Sequence, residues 1–227
     1  MEKKKRIFWA GDSTVATNKI DTYPQTGMGQ VLYLYLKDEV EVCNYAKNGR
    51  SSKSFINEGL LDEINKHIQS DDFLFIEFGH NDEKDDEERS TEPFSSYKEY
   101  LMKYVNSARE KGAHPVLITS LYRRWFDNDG HIKDRVHLDY PDAMIELGEK
   151  ENIPVIDLCA MSKKLLENTG DNGSRDWYMN ISEGEYENYR NGQEDNTHLK
   201  YHGAVIMAGL VAKGLKKLGG IYRDLIM

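Results

Sequence analysis

A chain of 227 residues can bury one substantial core but is short for two ordinary domains, so a single domain over residues 1–227 is expected. Hydrophobic residues make up 39% of the sequence and charged residues 30%, a balance that argues against disorder. The formal net charge of −9 disfavours nucleic acid and anionic membranes as partners, since both require a basic surface.

Short apolar segments alternate along the chain with longer segments whose apolar residues recur at helical spacing. The predicted strands are residues 6–10, 40–44, 72–78, 115–120 and 154–158. The predicted helices are residues 29–36, 60–68, 95–111, 140–150, 161–166 and 201–218. Strands that are apolar almost throughout are typical of a parallel sheet buried on both faces. The alternation therefore predicts an α/β fold, a three-layer α/β/α sandwich around a five-stranded parallel sheet.

Two longer segments, residues 121–137 and 177–196, show neither pattern and are expected to be loops. Loops of this length within a compact domain are usually functional or disordered. No apolar stretch of signal-peptide length follows the basic first residues, and no run of about 20 apolar residues occurs anywhere. These features predict a cytoplasmic protein without a membrane span.

A serine follows the first predicted strand in the segment Gly11-Asp12-Ser13-Thr14. At the carboxyl end of a strand, Ser13 would project from a turn with its own N–H free, as a nucleophile requires. Asp12 is expected to shape this turn and not to react. Taken alone, the segment fits a turn or helix-capping serine better than a nucleophile.

Hydrogen-bond donors follow the second and third predicted strands. Gly49 has no Cβ to hinder the approach of a reacting carbonyl, and its N–H is a candidate oxyanion donor. Asn81 offers a side-chain amide for the same purpose, in a segment where an Asx turn is the alternative. Because the carboxyl ends of parallel strands share one edge of the sheet, both residues are expected near Ser13.

Asp195 and His198 lie three residues apart, just before the last predicted helix. A carboxylate that binds imidazole Nδ1–H fixes the tautomer of a catalytic base and stabilises the imidazolium, so this spacing predicts an acid–base pair. A metal site is the alternative, since His198 and His202 are four residues apart. The glutamate of a His-Glu-x-x-His motif is absent, because Leu199 occupies its position.

The residues Ser13, Gly49, Asn81 and His198, with Asp195 in the last segment, occur in the order of the four sequence blocks of a known family. The chain resembles the SGNH hydrolases, also known as GDSL-type esterases, from residue 7 to about residue 218. Threonine stands where leucine is common in the first block, which is similar to the rhamnogalacturonan acetylesterase branch. Segments that also resemble this branch are residues 23–30, 49–55, 77–82, 119–126 and 195–198.

The resemblance implies a flavodoxin-like SGNH hydrolase fold and removal of acetyl groups from pectin-derived sugars through an acyl-enzyme, with no metal or organic cofactor. An acetylated oligosaccharide is the expected partner, and the oligomeric state is not indicated. We further predict that Arg123 and Arg124 bind a uronate carboxylate, and that Tyr23, Tyr122 and Trp125 face a sugar ring, with ordinary packing as the alternative.

Other activities remain open at this point. Acetyl xylan, or small aryl and lipid esters, would suit the same catalytic residues. A non-catalytic carbohydrate-binding protein is a further alternative, although a binding module has no need of the reactive residues. A nucleotide-binding flavodoxin-like protein is disfavoured, because the first strand–helix turn lacks a Gly-x-Gly-x-x-Gly motif and a P-loop.

Overall fold

A computed structural model describes residues 4–227 and contains a five-stranded sheet in the order β2-β1-β3-β4-β5, in which every neighbouring pair is parallel. The strands are β1 (Lys5–Gly11), β2 (Val40–Asn44), β3 (Phe73–Glu77), β4 (His114–Ile118) and β5 (Val155–Ile156). All five predicted strands are present, and the prediction of an α/β fold with a parallel sheet is confirmed.

The helices cover both faces of this sheet. They are α1 (Met28–Val31), α2 (Ser52–Asn57), α3 (Leu60–His67), α4 (Lys98–Glu110), α5 (Tyr140–Glu151), α6 (Leu158–Ser174), α7 (Tyr201–Leu218) and α8 (Gly220–Arg223). The bounds of α7 agree with the prediction, whereas the helix predicted for residues 29–36 is α1 followed by a 3₁₀ turn over Leu32–Tyr35. Among the described residues, no helix combines the length and apolar character needed to cross a bilayer.

The core has two halves, one on each face of the sheet. Side chains alternate along a strand, so Ile7 and Trp9 of β1 pack into one half, whereas Phe8 and Ala10 pack into the other. Helices α1, α6 and α7 contribute to the first half, and α3, α4 and α5 contribute to the second. Burial on both faces explains why the strand sequences are apolar almost throughout.

The strand order places a crevice at the carboxyl edge of the sheet. Strand β1 lies between β2 and β3, so the chain reverses its direction of winding beside β1. In open parallel sheets, ligands bind outside the carboxyl ends of the strands at such a reversal. The loops after β1, β2 and β3 therefore meet where Ser13, Gly49 and Asn81 were predicted to act.

Candidate active site

Three of the predicted residues form a chain of hydrogen bonds at the carboxyl edge of the sheet. The Ser13 Oγ lies 2.9 Å from His198 Nε2. On the other side of the imidazole, Nδ1 lies 2.6 Å from Asp195 Oδ2. Ser13 is largely buried, whereas the side chains of His198 and Asp195 are 32% and 21% exposed. The arrangement suits a serine nucleophile, a base and an acid that orients the base, with the histidine and the aspartate partly open to solvent.

The acid and the base are held together by their own loop. Asp195 Oδ1 accepts hydrogen bonds from the backbone N–H of Thr197, at 2.8 Å, and from that of His198, at 3.0 Å. The second oxygen, Oδ2, therefore points to the imidazole and also accepts from Gln193 Nε2 at 3.3 Å. The spacing of three residues between Asp195 and His198 allows this geometry, because one oxygen of the carboxylate caps the turn and the other binds the imidazole.

Helix α7 follows this loop and is packed closely against the backbone at Trp177. The Lys200 N–H donates to the Trp177 carbonyl at 3.0 Å, and the Met179 N–H donates to the His198 carbonyl at 2.9 Å. A Cβ placed at Gly203, in the first turn of α7, would lie 2.0 Å from the Trp177 oxygen. Only glycine allows this close approach, and the approach fixes where the loop with His198 lies.

Asp195 and His198 shift each other's pKa. Burial disfavours the charged imidazole of His198, but the hydrogen bond and charge of Asp195, with a contribution from Asp12, outweigh burial and raise the pKa of His198. Burial likewise disfavours ionised Asp195, and the His198 imidazole and the backbone N–H groups reverse this and lower the pKa of Asp195. The carboxylate therefore stays ionised while the imidazole gains basicity.

The turn that carries Ser13 is fixed by Asp12. Asp12 Oδ1 accepts hydrogen bonds from the Thr14 N–H and from the Thr14 hydroxyl, both at 2.8 Å. The Asp12 carbonyl accepts from the N–H groups of Val15 and Ala16. Within residues 4–227, no hydrogen bond uses the N–H of Ser13 itself. The Ser13 N–H is therefore available to a ligand.

Gly49 lies in a loop attached to the end of β1 by a hydrogen bond from the Lys47 N–H to the Gly11 carbonyl at 3.0 Å. Its φ of +79° is a conformation that favours glycine, and a Cβ there would meet no protein atom within 4 Å. The Asn81 side chain reaches the same loop, because its Nδ2 donates to the Arg50 carbonyl at 3.1 Å. An amide nitrogen carries two hydrogens, so one remains for a ligand.

The predicted sugar-binding residues divide into exposed and buried groups. Tyr23 is 51% exposed and Trp125 is 42% exposed, so both rings are accessible to a sugar. Tyr122 is buried and its hydroxyl donates to the Lys133 carbonyl at 2.6 Å. The prediction that Tyr122 faces a sugar ring stays a prediction, and the packing of its ring in the core argues against it.

The two arginines are also buried, and their charges are paired within the protein. Arg123 forms an ion pair with Glu83 and places its guanidinium 5.0 Å from the Trp125 ring. Arg124 forms an ion pair with Asp171. The prediction that Arg123 binds a uronate stays a prediction, and its ion pair with Glu83 argues against it. Arg124 differs, because it also lines a cavity.

That cavity adjoins the loop of the acid–base pair and has a volume of about 450 Å³. Its lining combines aromatic, basic and acidic side chains: Arg124, Trp125, Phe126, Lys133, Asp171, Arg175, Glu194 and Asn196. The last two residues flank Asp195, and Arg124 Nη1 donates to Asn196 Oδ1 at 2.8 Å. A surface with this composition suits a polar, ring-shaped ligand.

The alternative of a metal site at His198 and His202 finds no support in this arrangement. His198 uses both ring nitrogens for Asp195 and Ser13, and His202 is exposed in the first turn of α7. A different cluster of titratable groups, Asp12, Glu77 and His80, lies beneath the site and is fully buried. Sequence reasoning missed Glu77, although an acid inside the apolar strand β3 is a signal of such a cluster.

A parallel α/β sheet with a serine, a histidine and an aspartate joined at its carboxyl edge defines a serine hydrolase. Residues 7–211 match the model of the GDSL-like lipase/acylhydrolase family, and the chain belongs to this family. It is 43% identical over 224 residues to the rhamnogalacturonan acetylesterase RhgT of Bacillus subtilis, covering 99% of this chain and 95% of that one. The predictions of family and of a serine esterase are confirmed.

Two further similarities agree with this assignment. The chain is 44% identical over 214 residues to the probable rhamnogalacturonan acetylesterase YesY of Bacillus subtilis, covering 94% of this chain and 93% of that one. The crystal structure of the protein YxiM of Bacillus subtilis superposes with a TM-score of 0.82 at 26% identity. This chain is covered to 96% in that superposition and spans 58% of the solved chain.

Proposed function

We propose that this protein is a serine esterase that removes O-acetyl groups from oligosaccharides derived from rhamnogalacturonan. The observation that carries the proposal is the continuous chain from Asp195 through His198 to Ser13, with distances of 2.6 and 2.9 Å. The names of two relatives at 43% and 44% identity supply the substrate class. We assign the reaction from the residues and the sugar from the relatives.

In the first half of the reaction, Ser13 Oγ attacks the acetyl carbonyl carbon while His198 Nε2 takes the hydroxyl proton. The carbonyl oxygen becomes an oxyanion, which we assign to the N–H groups of Ser13 and Gly49 and to Asn81 Nδ2. When the oxyanion collapses, the bond from carbon to the sugar oxygen breaks and His198 returns the proton to that oxygen. The sugar leaves with a free hydroxyl, and the acetyl group remains on Ser13.

In the second half, water attacks the acetyl-serine and His198 accepts a proton from the water. Collapse of the second oxyanion releases acetate and returns the proton to Ser13 Oγ. Asp195 stays ionised throughout, because its hydrogen bonds to His198 and to the backbone N–H groups keep its pKa low against the effect of burial. Every proton transfer in this scheme uses one nitrogen, His198 Nε2.

We assign the sugar to the cavity beside the loop with Asp195. Trp125 is an exposed ring that suits a pyranose face, and Arg124 lines the same cavity with Lys133 and Arg175 nearby. Tyr23 is exposed as well and is kept as a second aromatic contact. A Trp125→Ala variant is expected to raise KM for acetylated oligosaccharides and to leave KM for p-nitrophenyl acetate unchanged, since the small ester does not reach the ring.

The deciding experiment is an acetate-release screen over acetylated rhamnogalacturonan and acetylated xylo-oligosaccharides. Wild-type protein is compared with Ser13→Ala and with Ser95→Ala, an exposed serine outside the site. Release from rhamnogalacturonan oligosaccharides by wild type and Ser95→Ala, with none by Ser13→Ala, is expected. A clear preference for xylo-oligosaccharides would refute the substrate, and full activity of Ser13→Ala would refute the nucleophile.

We also propose that the protein is cytoplasmic, that its substrate is an oligosaccharide and not the polymer, and that it needs no metal ion. Fractionation of cells with an antibody to the protein tests the location. Comparing acetate release from the polymer and from its short fragments tests the second point. The chelator EDTA is expected to leave the rate unchanged, and a loss that only one metal ion restores would contradict the scheme.

A further inference from the structure

The cluster of Asp12, Glu77 and His80, called here the buried cluster, brings three titratable groups together without solvent. Asp12 and Glu77 are 0% exposed and His80 is 3% exposed. His80 Nδ1 lies 3.3 Å from Asp12 Oδ2 and 3.9 Å from Glu77 Oε1. Burial of two carboxyl groups and an imidazole costs desolvation free energy, so we expect these groups to serve a role at this place.

The position of the buried cluster in the chain links two parts of the proposed active site. Asp12 immediately precedes Ser13 at the end of β1, and His80 immediately precedes Asn81 after β3. Strands β1 and β3 are neighbours in the sheet. A contact between Asp12 and His80 therefore ties the turn of the nucleophile directly to the loop of a proposed oxyanion donor.

The pKa values of the two carboxyl groups are shifted in opposite directions. Burial and the nearby charge of Asp12 raise the pKa of Glu77 well above its usual value. Burial also disfavours ionised Asp12, but His80 and the hydrogen bonds from Thr14 reverse this and lower the pKa of Asp12. The Thr14 hydroxyl joins the two carboxyl groups, since it lies 2.8 Å from Asp12 Oδ1 and 3.3 Å from Glu77 Oε2.

The groups on the other side of His80 leave its contact with Asp12 undisturbed. Burial, followed by the charge of His80, lowers the pKa of His137 to about 4, so the ring packed 4.5 Å from His80 is neutral at neutral pH. Arg123 donates to the His80 carbonyl at 3.4 Å, and its charge is paired with Glu83. Among the described residues, the carboxylate nearest to the His80 ring is that of Asp12.

We propose that Asp12 and His80 are positioning residues of this esterase, whose contact sets the spacing between the Ser13 turn and the Asn81 loop. The inference rests on the proposed function, because the two residues act only through Ser13 and Asn81. Both side chains are buried, so they bind no substrate and are expected to affect kcat without affecting KM. Displacement of catalytic groups by about 1 Å typically costs on the order of 100-fold in rate.

The test compares near-isosteric variants within the cluster, using hydrolysis of p-nitrophenyl acetate. Asp12→Asn and His80→Gln are each expected to lower kcat by roughly 10- to 100-fold with KM unchanged. The kcat of the double variant should be no lower than that of the less active single variant, because both substitutions break the same contact. Glu77→Gln should lose much less activity than Asp12→Asn, since Glu77 lies farther from His80, at 3.9 Å, than Asp12 does, at 3.3 Å.

Two further readouts separate positioning from general damage. His80→Asn places its amide nitrogen where Nδ1 was and should retain more kcat than His80→Gln, whose amide reaches the Nε2 position. The charged groups facing His198 are Asp195, Asp12 and Arg123. Asp12→Asn removes an anion that raises the pKa of His198, so the acidic limb of the rate profile should move to lower pH.

Several results would overturn the inference. Wild-type activity of Asp12→Asn or His80→Gln, additive losses in the double variant, or a rise in KM with kcat unchanged would each do so. So would a loss in Glu77→Gln as large as in Asp12→Asn, since packing alone would then explain both. Stoichiometric metal in the wild-type protein that His80→Gln lacks would show a metal centre instead.

The experiment also separates failure of this inference from failure of the proposed function. If wild type hydrolyses no acetyl ester, or if Ser13→Ala remains active, the proposed function itself is refuted. Circular dichroism of each variant shows whether it folds. If His80→Gln does not fold, the inference is decided by Asp12→Asn. Its kcat and the pH of the acidic limb of its rate profile are then compared with those of Glu77→Gln, the matched control.

Discussion

Replacement of Asp195 by asparagine tests the proposed mechanism most directly, because the hydrogen bonds around Asp195 determine how the amide would be oriented. The backbone N–H groups of Thr197 and His198 bind Oδ1, and they would hold the amide oxygen in that position. The amide nitrogen would then face His198 Nδ1, 2.6 Å away in the wild type, as a donor in place of an acceptor. The imidazole would have to carry its proton on Nε2, where it cannot accept one from Ser13.

The size of the expected loss follows from this exchange of tautomers. Asparagine at the corresponding position of a serine–histidine–aspartate triad leaves the geometry intact and lowers kcat by about 10⁴-fold. At 1.36 kcal/mol for each factor of ten, this equals ~5.4 kcal/mol of lost transition-state stabilisation. A surface ion pair contributes ~0–1 kcal/mol, so loss of charge alone would not reach this value.

The assay is the steady-state hydrolysis of p-nitrophenyl acetate, with the melting temperature measured for each protein. The matched control is Asp134→Asn, which removes an exposed carboxylate that pairs with Lys163 outside the site. Asp134→Asn should keep wild-type kcat. A loss of less than about tenfold in Asp195→Asn, with the fold intact, would refute the assignment of Asp195 as the group that orients His198.

Three further predictions follow from the site. Activity needs neutral His198, and its pKa is raised, so kcat/KM should fall as pH drops through a value above the ordinary imidazole pKa of about 6.5; a rate that stays flat down to pH 5 would contradict the base. Asn81→Ala should lower kcat by roughly 10²–10³-fold, or ~2.7–4 kcal/mol, with little change in KM, and unchanged kcat would remove Asn81 from the oxyanion site. Burial, opposed by hydrogen bonds from Ser52 and Thr91, raises the pKa of Asp82 to about 7. The folded state therefore holds a proton that the unfolded chain releases near pH 4, and this group should make unfolding easier as pH rises from about 4 to about 7; Asp82→Asn should lose that dependence in urea titrations.

The sheet could be predicted from the sequence because its strands are buried on both faces. Segments such as residues 72–78 and 115–120 are apolar almost throughout, and this pattern can be recognised without the tertiary structure. Helix α6 was predicted only over residues 161–166, whereas it extends over Leu158–Ser174 with a break in the helical backbone at Gly170. Asp157 is its N-cap, since the Asp157 side chain accepts from the Ala160 N–H. The later residues of the helix are polar, so periodicity alone did not reveal them.

The three side chains that the structure joins, Ser13, His198 and Asp195, could be proposed from the sequence because each follows a strand or precedes a helix in a fixed order. The sugar contacts could not, because burial of a residue in a long loop depends on tertiary packing. Tyr122 and Arg123 carry side chains that suit a sugar acid, yet both are buried, whereas Trp125 beside them is exposed. Nothing in the local sequence distinguishes these neighbours. The same limit applies to His137, whose proximity to His80 arises only from the fold.

The contact between Gly203 and the Trp177 backbone has a consequence for variation in this enzyme. Any methyl group at position 203 would push the start of α7 away from Trp177, since the carbonyl oxygen there would lie 2.0 Å from the new carbon. His198 lies five residues upstream, in the loop that this contact anchors. Substitution of Gly203 should therefore lower activity by displacing the loop with His198, although Gly203 is not itself one of the proposed catalytic residues.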